Sequence, residues 1–254
     1  MAISPCPNDT FMFDAIVNKR IDLHGFDIEV DYLDIEQLNA CALECKYDIT
    51  KCSTAILPAI YNNYSLLDSG SALGRGNGPL LVRRKSDRGP LGRIAVPGEH
   101  TTANRLVERL FPEITERCPM LFSDIAEAVE RGDYDGGVLI HEGRFVYQKR
   151  NLELVADLGL EWERLMGLPL PLGSIAAVRS LGEELRMEFE ALLRQSIEYA
   201  FAHPEASRDY IKSHAQELDD GVIDSHIALF VNNFSLSLAD EGRRAVTTLT
   251  EIDI

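Results

Sequence analysis

The sequence predicts an α/β protein: parallel-rich sheets flanked by helices, arranged as two lobes around a central ligand cleft. Three observations carry this. Strand-like and helix-like stretches alternate to about residue 170, and only helical patterns follow. Two extended segments, 79–84 and 168–178, bracket a middle block with strands and helices of its own, as expected where a chain crosses into a second lobe and back. They divide the chain into a discontinuous larger lobe, 1–83 with 174–254, and an inserted smaller lobe, 84–173. The third observation is the run at 136–140, Gly-Gly-Val-Leu-Ile, which is short, apolar and β-branched at Val138 and Ile140. It reads as a central parallel strand covered on both faces, and it runs straight into His141.

The composition narrows the function. The chain has 254 residues, enough for one large domain or two modest ones with real cores. Hydrophobic residues at 45% and charged residues at 26% are ordinary for a soluble globular protein, and no apolar run reaches the roughly 18 residues of a membrane span. The opening residues, Met1-Ala-Ile-Ser-Pro-Cys6, lack a basic region and an apolar core, so a cytoplasmic location is expected. The net charge of −16 argues against nucleic acid and anionic membrane as partners, and an anionic ligand needs a local cluster of donors. Cys41 and Cys45 stand four apart, but no histidine pair or second cysteine pair accompanies them at zinc spacing. Reduced thiols and no metal are expected.

Along the chain, Ser4-Pro-Cys-Pro-Asn-Asp-Thr10 is a proline-stiffened loop whose Asn8, Asp9 and Thr10 can cap a following helix. Residues 26–33 alternate as a half-buried strand near a sheet edge. Asp34 with Gln37 forms a capping box for a helix to about Lys46. Residues 47–53 form a strand that delivers Lys51, Cys52 and Ser53 to a new helix start, bent at Pro58. Gly74-Arg-Gly-Asn-Gly-Pro79 lacks the Lys-Ser/Thr pair of a phosphate loop and stands equally as a turn or a binding loop. Residues 93–96 lead through Pro97-Gly-Glu-His-Thr-Thr-Ala103 into a helix that Thr101 or Thr102 can cap. The amides of Thr102, Ala103 and Asn104 suit a carboxylate or phosphate there. Ser123 is expected to cap the helix before the central strand. Prolines 169 and 171 keep 168–178 extended. Beyond it, Leu185, Phe189, Leu192, Leu193, Ile197, Ala200 and Phe201 trace one apolar stripe, and Val222, Ile223, His226, Ile227, Phe230 and Val231 another. His226 on that stripe reads as a hydrogen-bonded core histidine rather than a ligand.

Ligands of open α/β sheets gather beyond the carboxyl ends of strands, where His141 lies. From position alone two readings stand: a general base that titrates near neutral pH, or a side chain that bonds a neighbouring loop. Helix starts at Asn8, Ser53 and Thr102 are expected to face the same cleft, which suits hinge closure on a small ligand.

Six stretches, Ser4-Pro-Cys-Pro-Asn-Asp-Thr-Phe11, Asp48-Ile-Thr-Lys51, Ser71-Ala-Leu-Gly-Arg-Gly-Asn-Gly-Pro-Leu80, Pro97-Gly-Glu-His-Thr-Thr-Ala103, Ile140-His-Glu-Gly-Arg-Phe145 and Gly167-Leu-Pro-Leu-Pro-Leu-Gly173, fall in an order that resembles the 1,4-dihydroxy-6-naphthoate synthases of the futalosine route to menaquinone. The resemblance covers most of residues 3–180. It implies a type 2 periplasmic-binding-protein-like fold adapted to cytosolic catalysis. It also implies a carbon–carbon lyase that converts cyclic dehypoxanthinyl futalosine to 1,4-dihydroxy-6-naphthoate without metal or redox cofactor. Such an enzyme takes a small-molecule substrate and works as a monomer or homodimer. The family's proton acceptor falls on His141, and its substrate contacts on Lys51, Cys52, Ser53, Thr102 and Ala103. Asn8 and Arg144 join these as further candidate contacts, Lys51 and Arg144 as counter-charges, with the amides of Ser53, Thr102 and Ala103 on a carboxylate or sugar oxygen. The chain departs from the family pattern in reaching Ser4 after three residues, which predicts a weak first strand, and in carrying Asn77 and Cys52 where a cysteine and a larger apolar residue are common. The alternatives are a chorismate dehydratase-like sister enzyme and a non-catalytic small-carboxylate binding protein.

Overall fold

The computed structural model describes residues 1–76, 78–141, 143–215 and 219–254. Asn77 and Glu142, named above, lie outside them, as do the side chains of Phe145 and Val146. The chain divides into two compact units, Met1–Gly74 with Pro171–Ile254, and Arg75–Leu170. The described residues form eleven strands: β1 (Ala2–Ile3), β2 (Asp31–Tyr32), β3 (Ile49–Ser53), β4 (Tyr64–Leu66), β5 (Ala72–Gly74), β6 (Leu80–Arg84), β7 (Arg93–Val96), β8 (Glu116–Pro119), β9 (Gly136–Leu139), β10 (Leu152–Asp157) and β11 (Leu170–Val178).

The first unit holds a mixed sheet in the order β2-β1-β3-β11-β4, with β5 paired to β11. β1 runs parallel to β2 and β3, and β11 returns antiparallel to β3 and β4. The weak first strand is found as two residues. The alternating stretch 26–33 is strand only at Asp31–Tyr32, while Phe26, Ile28 and Val30 pack against the core. The first helix, Pro7–Val17, begins earlier than capping by Asn8, Asp9 or Thr10 would place it. Proline is preorganised for the first helical position, so Cys6 becomes the N-cap and Asn8 and Asp9 fall inside the first turn. The Asp34–Gln37 capping box is present at the Ile35–Leu43 helix. Phe13, Ile16, Ile175, Phe189, Leu193 and Ile197 build the core, and Ser196 Oγ on the Glu183–Ala202 helix donates to Met12 O at 2.6 Å. Leu185 and Phe201, near the two ends of that helix, remain exposed.

The second unit has a sheet in the order β10-β6-β9-β7-β8. β9 is central, antiparallel to β6 and parallel to β7. Because β6 pairs with both β9 and β10, the segment 80–84 belongs to this sheet, and the unit begins before it, at Arg75. Leu80, Val82, Ile125, Val129, Leu139 and Leu152 form its core. Ser123 does not cap the Phe122–Arg131 helix; Leu121 is the N-cap and Ser123 Oγ donates to Asp124 instead. Of the described glycines of the 74–79 loop, Gly74 ends β5, Gly76 has open space where a Cβ would stand, and Gly78 is closely packed. A Cβ on Gly78 would come 2.1 Å from the amide of Gly159, and the Gly76 amide donates to Glu163 Oε1 at 2.6 Å. Among the described residues no helix is long and apolar enough to cross a membrane.

Gly137 sets how closely β9 approaches the Phe122–Arg131 helix. A Cβ there would lie 2.5 Å from Ile125 Cγ2 and 2.8 Å from Val129 Cγ2, and β-branched neighbours are too stiff to turn aside. Gly137→Ala is therefore expected to cost about 1–3 kcal/mol through overpacking. In urea unfolding followed by circular dichroism the midpoint should fall while the slope is unchanged.

Candidate active site

In the first unit, the parallel pairing of β1 with β3 brings the segment after Ile3 and the end of β3 to the same sheet edge. Side chains alternate along a strand, so Lys51 and Ser53 share one face of β3 and Cys52 takes the other. Lys51 is 4% exposed and its Nζ stands 2.9 Å from Asp9 Oδ1, an ion pair without the alignment of a hydrogen bond. Asp9 is fully buried and accepts from Ser4 Oγ at 2.6 Å and Asn8 Nδ2 at 2.8 Å. On the neighbouring strand Gly173 makes the room. A Cβ there would sit 2.8 Å from Lys51 Cε. Ser53 is held by Asn39 of the Ile35–Leu43 helix, whose Oδ1 accepts the Ser53 amide at 2.8 Å and whose Nδ2 donates to Ser53 Oγ at 3.0 Å. The Ser53 amide is thus spent, contrary to the expectation that it holds a ligand oxygen. Its hydroxyl keeps its own hydrogen as a donor. Burial pushes the Cys52 thiol up to about 12, so it is a neutral thiol near pH 7.

In the second unit, β7 and β9 are parallel neighbours, so the segments that leave their carboxyl ends also emerge side by side. Beyond β7, Thr101 Oγ1 donates to Gly98 O at 2.9 Å and accepts from the Asn104 amide at 3.2 Å, capping the Thr102–Leu110 helix. The Asn104 and Arg105 amides are taken by Thr101, whereas the Ala103 amide precedes any intrahelical acceptor. Thr102 stands beside it at the helix start. Beyond β9, His141 adopts φ +52°, left-handed backbone that a non-glycine residue rarely takes. The ring of Phe122 meets it edge-on at 4.9 Å. Such strain costs of order 1–3 kcal/mol and persists only where the surroundings impose it. The Gly143 amide donates to Ile140 O at 3.1 Å, and His141 lies just past the end of β9.

The other predicted contacts are placed differently. Asn8 spends both polar ends inside the first unit, on Asp9 and on His226. Arg144 is 13% exposed and donates to Gly78 O at 2.8 Å and Asp157 Oδ2 at 3.3 Å, so it ties the glycine turn to the start of the Leu158–Met166 helix. Burial lowers its pKa, with Asp157 opposing. Sequence reasoning passed over Asp9 as a partner of Lys51, Asn39 as the anchor of Ser53, and Gly173 as the space for the lysine. Asn39 left one signal: a polar residue on the buried helix face between Leu38 and Ala42. Among the described residues no cluster of histidine, cysteine, aspartate or glutamate is arranged to hold a metal.

Comparison with known proteins agrees with these motifs. A solved protein from Archaeoglobus fulgidus shares 32% identity with a TM-score of 0.92, covering 98% of this chain and 94% of its own. A Candida albicans protein described as having the generic periplasmic binding protein fold matches with a TM-score of 0.69 at 14% identity, covering all of this chain and 90% of that one, which shows the fold alone. The 1,4-dihydroxy-6-naphthoate synthase of Thermus thermophilus is 44% identical over 98% of this chain and 91% of its own length. The family model described as menaquinone biosynthesis matches residues 1–252. With a periplasmic-binding-protein-like fold and a match over nearly its whole length, the chain belongs to the menaquinone biosynthesis family.

Proposed function

We propose that this chain is a 1,4-dihydroxy-6-naphthoate synthase, a carbon–carbon lyase acting on cyclic dehypoxanthinyl futalosine with His141 as proton acceptor. The observation that carries the reading is the 44% identity over 98% of the chain to an enzyme of that name. The geometry supports the roles. His141 sits past the end of a central strand on a constrained turn, the position from which a base can meet a substrate without reorganising. It accepts a proton from a substrate hydroxyl or acidic carbon, and the resulting electron pair drives carbon–carbon cleavage and expels the sugar fragment. Aromatisation of the remaining ring makes the step downhill, so a single base in a preorganised site suffices.

The substrate carboxylate needs local donors because the chain as a whole is strongly acidic. Lys51 supplies charge, with an ammonium for which Asp9 is the only acidic partner among the described residues. The Ser53 hydroxyl, the Ala103 amide and Thr102 supply directional contacts on strand and helix ends. Cys52 contributes through its main chain and apolar packing, since its thiol stays protonated. Arg144 serves the scaffold rather than the substrate.

Incubating the wild type with cyclic dehypoxanthinyl futalosine, and following mass and absorbance, tests the activity; a naphthoate product is expected. His141→Ala should lose at least about 100-fold in kcat, the usual contribution of a general base, while calorimetry still detects substrate binding. Near-normal turnover by that variant would remove His141 from the role. Gly173→Ala should displace the Lys51 side chain and raise KM about tenfold with kcat little changed, the signature of lost uniform binding. An unchanged KM would show that the lysine position is unimportant.

A further inference from the structure

The first unit contains a buried polar chain that the proposed reaction does not use in full. It runs from His226 on the Asp220–Phe230 helix, through Asn8 and Asp9 on the Pro7–Val17 helix, to Lys51 on β3. Its members are between fully buried and 6% exposed. The direction of its hydrogen bonds follows from chemistry. An ionised carboxylate only accepts, so the Asn8 group 2.8 Å from Asp9 Oδ1 is the amide NH2. The Asn8 Oδ1 oxygen then faces His226 Nε2 at 2.9 Å, and an oxygen needs a donor. His226 therefore carries its hydrogen on Nε2. A flipped Asn8 would set its oxygen against Asp9 and its NH2 against the ring, leaving carboxylate and amide oxygen in repulsive contact. Phe230 holds the imidazole, its ring centroid 4.6 Å away.

The far end of this chain is Lys51, the cation proposed to bind the substrate. Asp9 Oδ1 is shared by Asn8 Nδ2 and Lys51 Nζ, at 2.8 and 2.9 Å, while Oδ2 is occupied by Ser4. The amide thus takes part of the carboxylate's accepting capacity. Lys51 is left ion-paired but unaligned for a hydrogen bond, and no other hydrogen-bond acceptor among the described residues reaches its Nζ. A lysine ammonium has three donors. Held in this way, it is neutralised enough to stay buried while its hydrogens remain for an anionic ligand. If the Asn8 amide were free to turn, Asp9 would take the lysine into an aligned hydrogen bond and draw it away from the ligand.

We propose that His226 is a positioning residue for substrate binding: through Asn8 and Asp9, its Nε2–H keeps the Lys51 ammonium presented to the substrate's anionic group. This rests on the functional reading above, in which Lys51 binds the substrate.

Two variants separate positioning from simple packing. His226→Gln retains an N–H donor for Asn8, whereas His226→Phe keeps an apolar ring and loses the donor. With cyclic dehypoxanthinyl futalosine as substrate, His226→Phe is expected to raise KM about tenfold with kcat within about threefold of wild type, and His226→Gln to restore KM. Thermal unfolding checks that both variants fold. Independently of turnover, long-range nitrogen–proton NMR of the wild type should show His226 protonated at Nε2. The Lys51 ammonium resonance should shift in His226→Phe and in Asn8→Ala but not in His226→Gln. A wild-type KM in folded His226→Phe, failure of His226→Gln to rescue, or an Nδ1-protonated His226 would each overturn the proposal. If the wild type does not turn over the futalosine, the functional reading fails. The tautomer and the Lys51 resonance then decide alone whether His226 governs the lysine; if His226→Phe does not fold, His226→Leu, which also lacks the donor, replaces it in both readouts.

Discussion

The structure of the first unit turns on one buried ion pair. Lys51 and Asp9 are both almost wholly removed from solvent, and each buried ion costs several kcal/mol in lost hydration even after relaxation. That cost is offset only by close pairing and by hydrogen bonds to the remaining lone pairs. The requirement explains features that look unrelated in the chain. Ser4 precedes the proline-initiated helix because its hydroxyl must reach Asp9. Asn8 sits inside the first turn rather than at the cap because its amide must reach the same carboxylate. Gly173 interrupts an otherwise side-chain-bearing strand because the lysine stem lies there.

The two units use the same device. Each has a pair of parallel neighbouring strands, β1 with β3 and β7 with β9, and each places polar groups in the segments that leave their carboxyl ends. Parallel pairing guarantees that those segments emerge on the same side, so residues far apart in sequence arrive together without any contact having to specify them. The antiparallel strands do different work. β11 closes the first sheet against β3 and β4, and β6 ties β9 to β10, which makes both sheets mixed. In the proposed function the groups at these ends carry the chemistry, and the sheets position them.

Much of this was legible in the chain. The β9 run could be read because the short apolar stretch from Gly136 to Ile140, β-branched at Val138 and Ile140, runs into His141, and a pattern that short needs no partner to be recognised. The capping boxes and prolines likewise act within a turn or two of themselves. Thr101 and Asp34 therefore predicted helix starts, whereas Pro7 was expected only to stiffen a loop and instead begins the helix ahead of the Asn8, Asp9 or Thr10 cap. What stayed hidden was long-range and polar. Asn39 meets Ser53 across 14 residues and His226 meets Asn8 across 218, and no local pattern encodes either separation. Arg144 shows the converse. A basic residue in a family motif suggests a ligand, yet its guanidinium also donates to Gly78 O and Asp157 Oδ2, partners 66 and 13 residues away that no local pattern reveals.

The central claim is that the Lys51 ammonium, held beside Asp9 at the end of β3, receives the anionic group of the ligand. Titrating nitrogen-labelled protein with 1,4-dihydroxy-6-naphthoate, and following the Lys51 and Ser53 resonances, tests it most directly. Both are predicted to shift and to saturate together with a single Kd. A Lys51 resonance that stays in place while the ligand binds would contradict the claim.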